Sequence, residues 1–319
     1  MRDLSPMAQR RLDIRPHLAL LAVQIMFGTW PIVGKIALRS LPSAGLVSLR
    51  LVGAAAAFVV VGRFAVRSPI NGTGDYLRLA LYGLMGVVLN QLLFTKGLSL
   101  STAINATLLG TAIPVFTLLV GVVINRERPS LRTTLGVAVA AGGVIYLINP
   151  WNADFSSDKT LGNLLLIANT AFYGAYIALS QDVLRRYGAL TVITWVFLFG
   201  ALGTLPLGTY YLAQTPAENY SLSLWLAVLY IIIVPTVGAY YLNAWALERV
   251  TPSTVAAYIY LQPLIAAVLA PLLLGESERW GIRTAIAAAL IFAGVALVTW
   301  PPRNRVLDEV SEHPEAFGH

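Results

Sequence analysis

The sequence predicts an all-α integral membrane protein of about ten transmembrane helices in two inverted five-helix repeats. Three observations carry that expectation. The 319 residues are 57% hydrophobic and only 12% charged, with a mean hydropathy of +0.71, whereas a soluble domain carries about 25% charged residues. The apolar residues fall into runs of helix-spanning length, about 20 residues each. One pattern is also written twice: "IPVFTLLVGVVINRE" begins at Ile113 and "QPLIAAVLAPLLLGE" at Gln262, with Pro and Glu equally spaced in both (127 − 114 = 276 − 263 = 13).

The expected spans are 17–37, 45–65, 77–98, 101–124, 132–150, 161–181, 190–212, 222–246, 253–274 and 281–300. Short loops join them. The arginine-rich opening "MRDLSPMAQRRLDIRP" precedes the first span, and no A-x-A-like cleavage site follows it. It reads as a cytosolic tail rather than a signal peptide. With that tail inside, 15 basic residues fall on the cytosolic side, among them Arg67, Arg78, Arg126 and Arg186. Four fall opposite: Arg39, Lys159, Arg279 and Arg283. The excess predicts both termini in the cytosol and a multi-pass protein of the cell (plasma or inner) membrane.

The doubling extends well beyond the quoted stretches. "GLSLSTAINATLLGTAIPVFTLLVGVVINRE" aligns with "ALERVTPSTVAAYIYLQPLIAAVLAPLLLGE" at an offset of 149 (276 − 127), "RTTLGVAVAAGGV" with "RTAIAAALIFAGV" at 151, and "FGTWPIVGKIALR" with "YGAYIALSQDVLR" at 146. Each half holds five spans. An odd number makes the second half enter the membrane from the other side, the inverted plan of many secondary transporters. The chain therefore divides into a tail (1–16), a first repeat (17–150), an extracytoplasmic loop (151–160), a second repeat (161–300) and a cytosolic tail (301–319).

These residues resemble the drug/metabolite transporter superfamily, and within it the ten-helix proteins with EamA domains. Gly28, Lys35, Pro42, Arg50, Pro114, Glu127, Gly136 and Gly143 carry the likeness in the first half, and Gly174, Pro263, Glu276 and Gly294 in the second. Gln181 stands where a lysine is expected opposite Lys35, and Ala287 where Gly136 has its counterpart. The resemblance implies transport of small organic solutes, often amino acids or other metabolites, often as export. It leaves the substrate open.

Candidate site residues lie on stripes at helical spacing. Asn169, Tyr173, Tyr176 and Ser180 share one face, with Phe27 and Trp30 as repeat partners. Thr236, Tyr240 and Asn243 share another, with Gln91 and Phe94 as partners. Thr254, Tyr258 and Gln262 form a third. Such faces are costly in lipid at mid-depth and should turn inward. They either line a substrate cavity or act as interhelical glue. Pro114 and Pro263 lack an N–H and should free carbonyls near Gly110 and Ile259, as hinges or as ordinary membrane prolines. Glu127 and Glu276 end their helices and need basic partners, because a helix C-terminus is negative. They read as gate ion pairs or as turn caps. Lys35 is a further gate candidate, while Lys96 points away from Gln91 and can snorkel to the interface. Small residues at four-residue spacing in 132–150 and 281–300 mark packing helices, expected against each other.

No cysteine is present, and the three histidines lie near the ends. Neither a metal site, a cofactor site nor an enzyme centre is expected. The net charge of +7 belongs to membrane orientation rather than to nucleic acid. The partners expected are the bilayer and a small-molecule substrate, in a monomer or homodimer. The substrate expected is a neutral, zwitterionic or aromatic metabolite, amino-acid-like, carried by alternating access. An organic cation in an aromatic box is the alternative, and a non-transporting scaffold or receptor is the rival of another class.

Topology is testable in this cysteine-free background. Single cysteines at Lys159 and Arg279 should react with an impermeant thiol reagent from outside, and cysteines at Arg67 and Arg126 should not. Outside labelling at position 67 would reverse the orientation.

Overall fold

The computed structural model describes residues 14–64, 69–124, 131–148, 158–262 and 282–299, together with 265, 269, 272 and 273. All regular structure among them is helical. The helices are α1 (Arg15–Ala37), α2 (Ser43–Phe64), α3 (Thr73–Leu100), α4 (Ala103–Gly110), α5 (Ile113–Ile124), α6 (Leu131–Ile148), α7 (Asp158–Tyr187), α8 (Ala189–Ala213), α9 (Leu222–Leu247), α10 (Pro252–Ala257) and α11 (Ile282–Thr299). A 3-10 turn, Tyr258–Leu261, follows α10.

Seven runs among the described residues are long and apolar enough to span a membrane: α1, α2, α3, the pair α4–α5, α7, α8 and α9. Helices also occupy the regions of the expected fifth and tenth spans, as α6 and α11. The expected span 253–274 is described only in part. Pro263, Glu127 and Glu276 lie outside the described residues, as do Arg67, Arg126, Arg279 and the residues beyond 299.

Local chemistry sets the helix starts. Proline occupies the first turn of α1 and α10, where its missing N–H costs nothing. Thr102, Ser221 and Thr251 cap α4, α9 and α10 by accepting from the backbone N–H of Asn105, Leu224 and Thr254.

Three irregularities interrupt the regular helices, and two of them lie outside what periodicity predicted. The expected span 101–124 breaks after Gly110 and resumes at Ile113, one residue before Pro114. Helix α3 widens to a π segment at Leu84–Leu89 and α9 at Ile232–Gly238. Their starts lie 148 residues apart (232 − 84). In α9 the segment contains Pro235, which cannot donate to the carbonyl of Ile231. Thr236 Oγ1 donates to that carbonyl at 2.6 Å.

Packing is by pairs. α2 lies along α8, α3 along α7, α1 along α9, and α6 along α11. The last pairing is the one expected of the small-residue helices. Glycines allow the closest of these approaches. A Cβ on Gly97 would meet the backbone oxygen of Gly162 at 2.8 Å, so α3 and α7 cross almost backbone to backbone. A Cβ on Gly174 would meet Ile113 O at 2.9 Å, where α7 presses on the break between α4 and α5.

Gly97→Val should therefore overpack the α3–α7 crossing, costing about 1–3 kcal/mol. Its melting temperature in detergent should fall below wild type. An unchanged melting temperature would count against so close a crossing.

Candidate functional site

An open cavity lies among α1, α3, the α4–α5 break, α7, α9 and Gln262, which follows the 3-10 turn after α10. Its apolar wall is aromatic. Trp30 stacks on Phe94 with centroids 5.9 Å apart, Phe27 meets the edge of Tyr240 at 5.6 Å, and Tyr173 meets Tyr240 at 6.2 Å. Its polar wall is neutral: Asn90, Gln91, Thr107, Asn169 and Gln262. Gly110 and Ile113 bring the helix break to the same surface. No carboxylate lines the cavity among the described residues.

Behind the wall sits one full charge. Arg50, two turns into α2, is completely buried. Its Nη1 donates to Gln91 Oε1 at 2.6 Å, and its Nε and Nη2 donate to Thr236 Oγ1 at 3.1 and 2.9 Å. The guanidinium lies 3.8 Å from the centroid of the Trp30 ring, a cation–π contact strengthened by the absence of water. Every partner is neutral. None of the ion pairs among the described residues includes Arg50.

Hydrogen-bond direction follows from that charge. A guanidinium only donates, so Gln91 must turn its oxygen to Arg50 and its Nε2 to the Tyr240 hydroxyl. Tyr240 has two acceptors in reach, Asn90 Oδ1 at 3.2 Å and Gly86 O at 3.5 Å, and donates to the nearer, Asn90. Asn169 Nδ2 holds the Asn90 backbone carbonyl at 2.7 Å. A second chain runs from Asn243 Nδ2 to the Tyr173 hydroxyl at 3.3 Å, and a third from Gln262 Nε2 to Gln24 Oε1 at 2.7 Å.

One end of the bundle, where α3 begins and α7 ends, is tied by charge. Arg186 bonds Asp75 at 3.1 Å and Asp182 at 3.2 Å. Arg78 approaches the same two carboxylates at 3.6 and 3.7 Å. The Tyr187 hydroxyl donates to Asp75 at 2.6 Å. Nearby, Glu248 accepts from the backbone N–H of Ala189, at the positive end of α8. Gln181, the position read against a family lysine, donates to Leu247 O at the end of α9 and to Val250 O just beyond it.

Of the ten residues expected to bind substrate, Phe27, Trp30, Gln91, Phe94, Tyr173, Tyr240 and Gln262 line the cavity. Three lie elsewhere. Tyr176 is buried behind the wall, stacked on Tyr173 at 5.8 Å, with its ring against Gly86. Asn243 is a buried support for Tyr173. Tyr258 shares a hydrogen bond with His17 at 2.9 Å. Lys35 is half-buried in the last turn of α1, and Lys96 is exposed. Neither lines the cavity. Asn90 and the Asp75–Arg186 cluster have no signal in the stripes or the repeat. Arg50, one of the residues that carry the family likeness, shows in the sequence only as a cation inside an apolar run.

A model of the EamA-like transporter family matches residues 14–149 and again 160–300. The chain belongs to that family. An uncharacterized transporter of Archaeoglobus fulgidus is 28% identical over 290 residues, covering 90% of this chain and 98% of that one. A WAT1-related protein of Arabidopsis thaliana is 26% identical, over 94% and 86% of the two chains. The uncharacterized transporter YetK of Bacillus subtilis is 24% identical, over 82% and 80%. A solved crystal structure superposes with a TM-score of 0.64 at 19% identity, covering 89% of this chain and 96% of that one. This EamA-like protein is thus a multi-pass membrane protein of a transporter family.

The polar chain makes a stability prediction. Thr236→Val removes the acceptor of two Arg50 N–H groups and the donor to Ile231 O. Each group left unpaired costs about 1–3 kcal/mol. The melting temperature in detergent should drop, while Thr236→Ser, which keeps the hydroxyl, should melt near wild type.

Proposed function

We propose that this EamA-like protein is a secondary transporter of small neutral, zwitterionic or aromatic metabolites, amino-acid-like in size and chemistry. The observation that carries the reading is the cavity itself. It is walled by rings and amides contributed by both segments that match the family model. Rings supply apolar area and stacking faces, and amides supply hydrogen bonds that fix orientation. The two segments form inverted five-helix halves that rock about the cavity and expose it alternately at the two faces of the plasma membrane. Breaks beside Pro114 and Pro235 supply bending points. The Asp75–Arg78–Asp182–Arg186 cluster is the closed gate at the cytosolic end. Three of its four side chains, Arg78, Asp182 and Arg186, are half-exposed, and pairs open to solvent are weak enough to part thermally.

The organic-cation alternative is disfavoured by the Arg50 charge one side chain behind the wall. A scaffold or receptor has no need of a cavity shared between two mobile halves.

Transport is by facilitated diffusion, in the direction the substrate gradient sets, export included. No carboxylate lines the described cavity to carry a coupling proton. In proteoliposomes a gradient of an aromatic amino acid such as tryptophan should drive flux by itself, with choline not carried. An imposed pH gradient should not concentrate the substrate. Uphill accumulation abolished by a protonophore would overturn the uncoupled mechanism, and absence of flux across a broad metabolite panel would overturn the transport reading.

A further inference from the structure

We infer that Arg50 makes the cavity selective for solutes bearing a carboxylate, with the negative head at the Gln91–Asn90 wall and the apolar body among the rings. This inference rests on the transport reading for its cargo but not for its chemistry. A buried cation ordinarily has an anionic partner, because desolvation otherwise costs several kcal/mol. Arg50 has two neutral oxygen partners and the face of Trp30. Those contacts satisfy its geometry without cancelling its charge. The surplus positive charge sits against Gln91 and Trp30, and both face the cavity.

The hydrogen bonds carry the same polarity inward. Because Arg50 can only donate, every group along the chain hands its acceptor back toward α2 and its donor forward. Gln91 donates to Tyr240, and Tyr240 donates to Asn90 Oδ1. Asn90, which lines the cavity, ends the chain with its N–H₂ group, and no protein acceptor among the described residues takes it. A wall that offers N–H donors, backed by a full positive charge in low dielectric, favours an acceptor-only anion. A carboxylate is the small organic group of that kind. The rings offer stacking faces to an apolar body. An ammonium head meets the wrong charge, and a neutral amide gains only part of the interaction. Arg50 acts here through Gln91 and is a positioning and charge-setting residue.

The test uses three probes of one shape: phenylacetate, phenylacetamide and phenethylammonium. Binding to the purified full-length protein is read by thermal shift, and flux is read in proteoliposomes. Wild type should bind phenylacetate at least about tenfold more tightly than phenylacetamide, since a hydrogen bond made by a charged group exceeds its neutral equivalent by about that factor. Phenethylammonium should bind weakest. Arg50→Gln should bring the acid-to-amide ratio close to one. Arg50→Lys is the second variant. It keeps the positive charge without the forked hydrogen bonds, so it should keep an acid preference where Arg50→Gln loses it. A structural role alone would lower stability and leave the ratio unchanged. Equal binding of acid and amide by wild type, an acid preference that survives in folded Arg50→Gln, or one that is lost in folded Arg50→Lys, would overturn the inference while leaving transport intact. A preference present in binding but with no flux of any probe would sustain the inference and count against the transport reading.

Discussion

The interaction on which the arrangement depends is a guanidinium held inside an apolar bundle by neutral groups. Its support begins with a defect in the backbone. Pro235 cannot give the Ile231 carbonyl an α-helical bond, and the Thr236 hydroxyl donates to that carbonyl. The same oxygen then accepts twice from Arg50. Arg50 in turn fixes Gln91, Gln91 fixes Tyr240, and Tyr240 fixes Asn90. A hydroxyl has one donor and two acceptor sites, and all three are used here. The chain joins α2, α3 and α9, two helices from the first matched segment and one from the second.

That junction has matching positions but unlike chemistry on its two sides. Gln91 and Tyr240 are 149 residues apart, the offset at which the two segments align, and they touch each other. Arg50 contacts Gln91, and Phe197 meets the edge of Tyr240 at 5.0 Å. Of the two matching positions, one gives the cavity an amide and the other a ring.

The strength of each contact follows its depth. Around Arg50 there is no water to replace a lost partner, so each hydrogen bond there is costly to break. At the end of the bundle Arg78, Asp182 and Arg186 are half-exposed. Solvent screens those pairs and can replace them.

Much of this was legible in the residues alone. Hydropathy located the helices because a span must be apolar for about 20 residues, whatever it packs against. The repeated Pro and Glu marked two related segments, and helical spacing put Phe27, Trp30, Gln91, Tyr173 and Tyr240 on inward faces because polar and aromatic stripes are costly in lipid. Those are one-dimensional constraints. The position of Arg50 was visible, but its consequence was not. Whether a charge inside a span is paired, snorkels or stands alone depends on Gln91 and Thr236, which lie 41 and 186 residues away. The same holds for Tyr176, which shares a stripe with Tyr173 yet sits behind it. One helical face is wider than one cavity wall, and only the neighbouring α3 backbone at Gly86 decides which ring reaches the opening. The sequence by itself determined the membrane-spanning helices and their inward faces, because solvent acts on each residue locally. Tertiary structure alone decided the unpaired charge and the direction of its hydrogen bonds, because those depend on which distant groups meet.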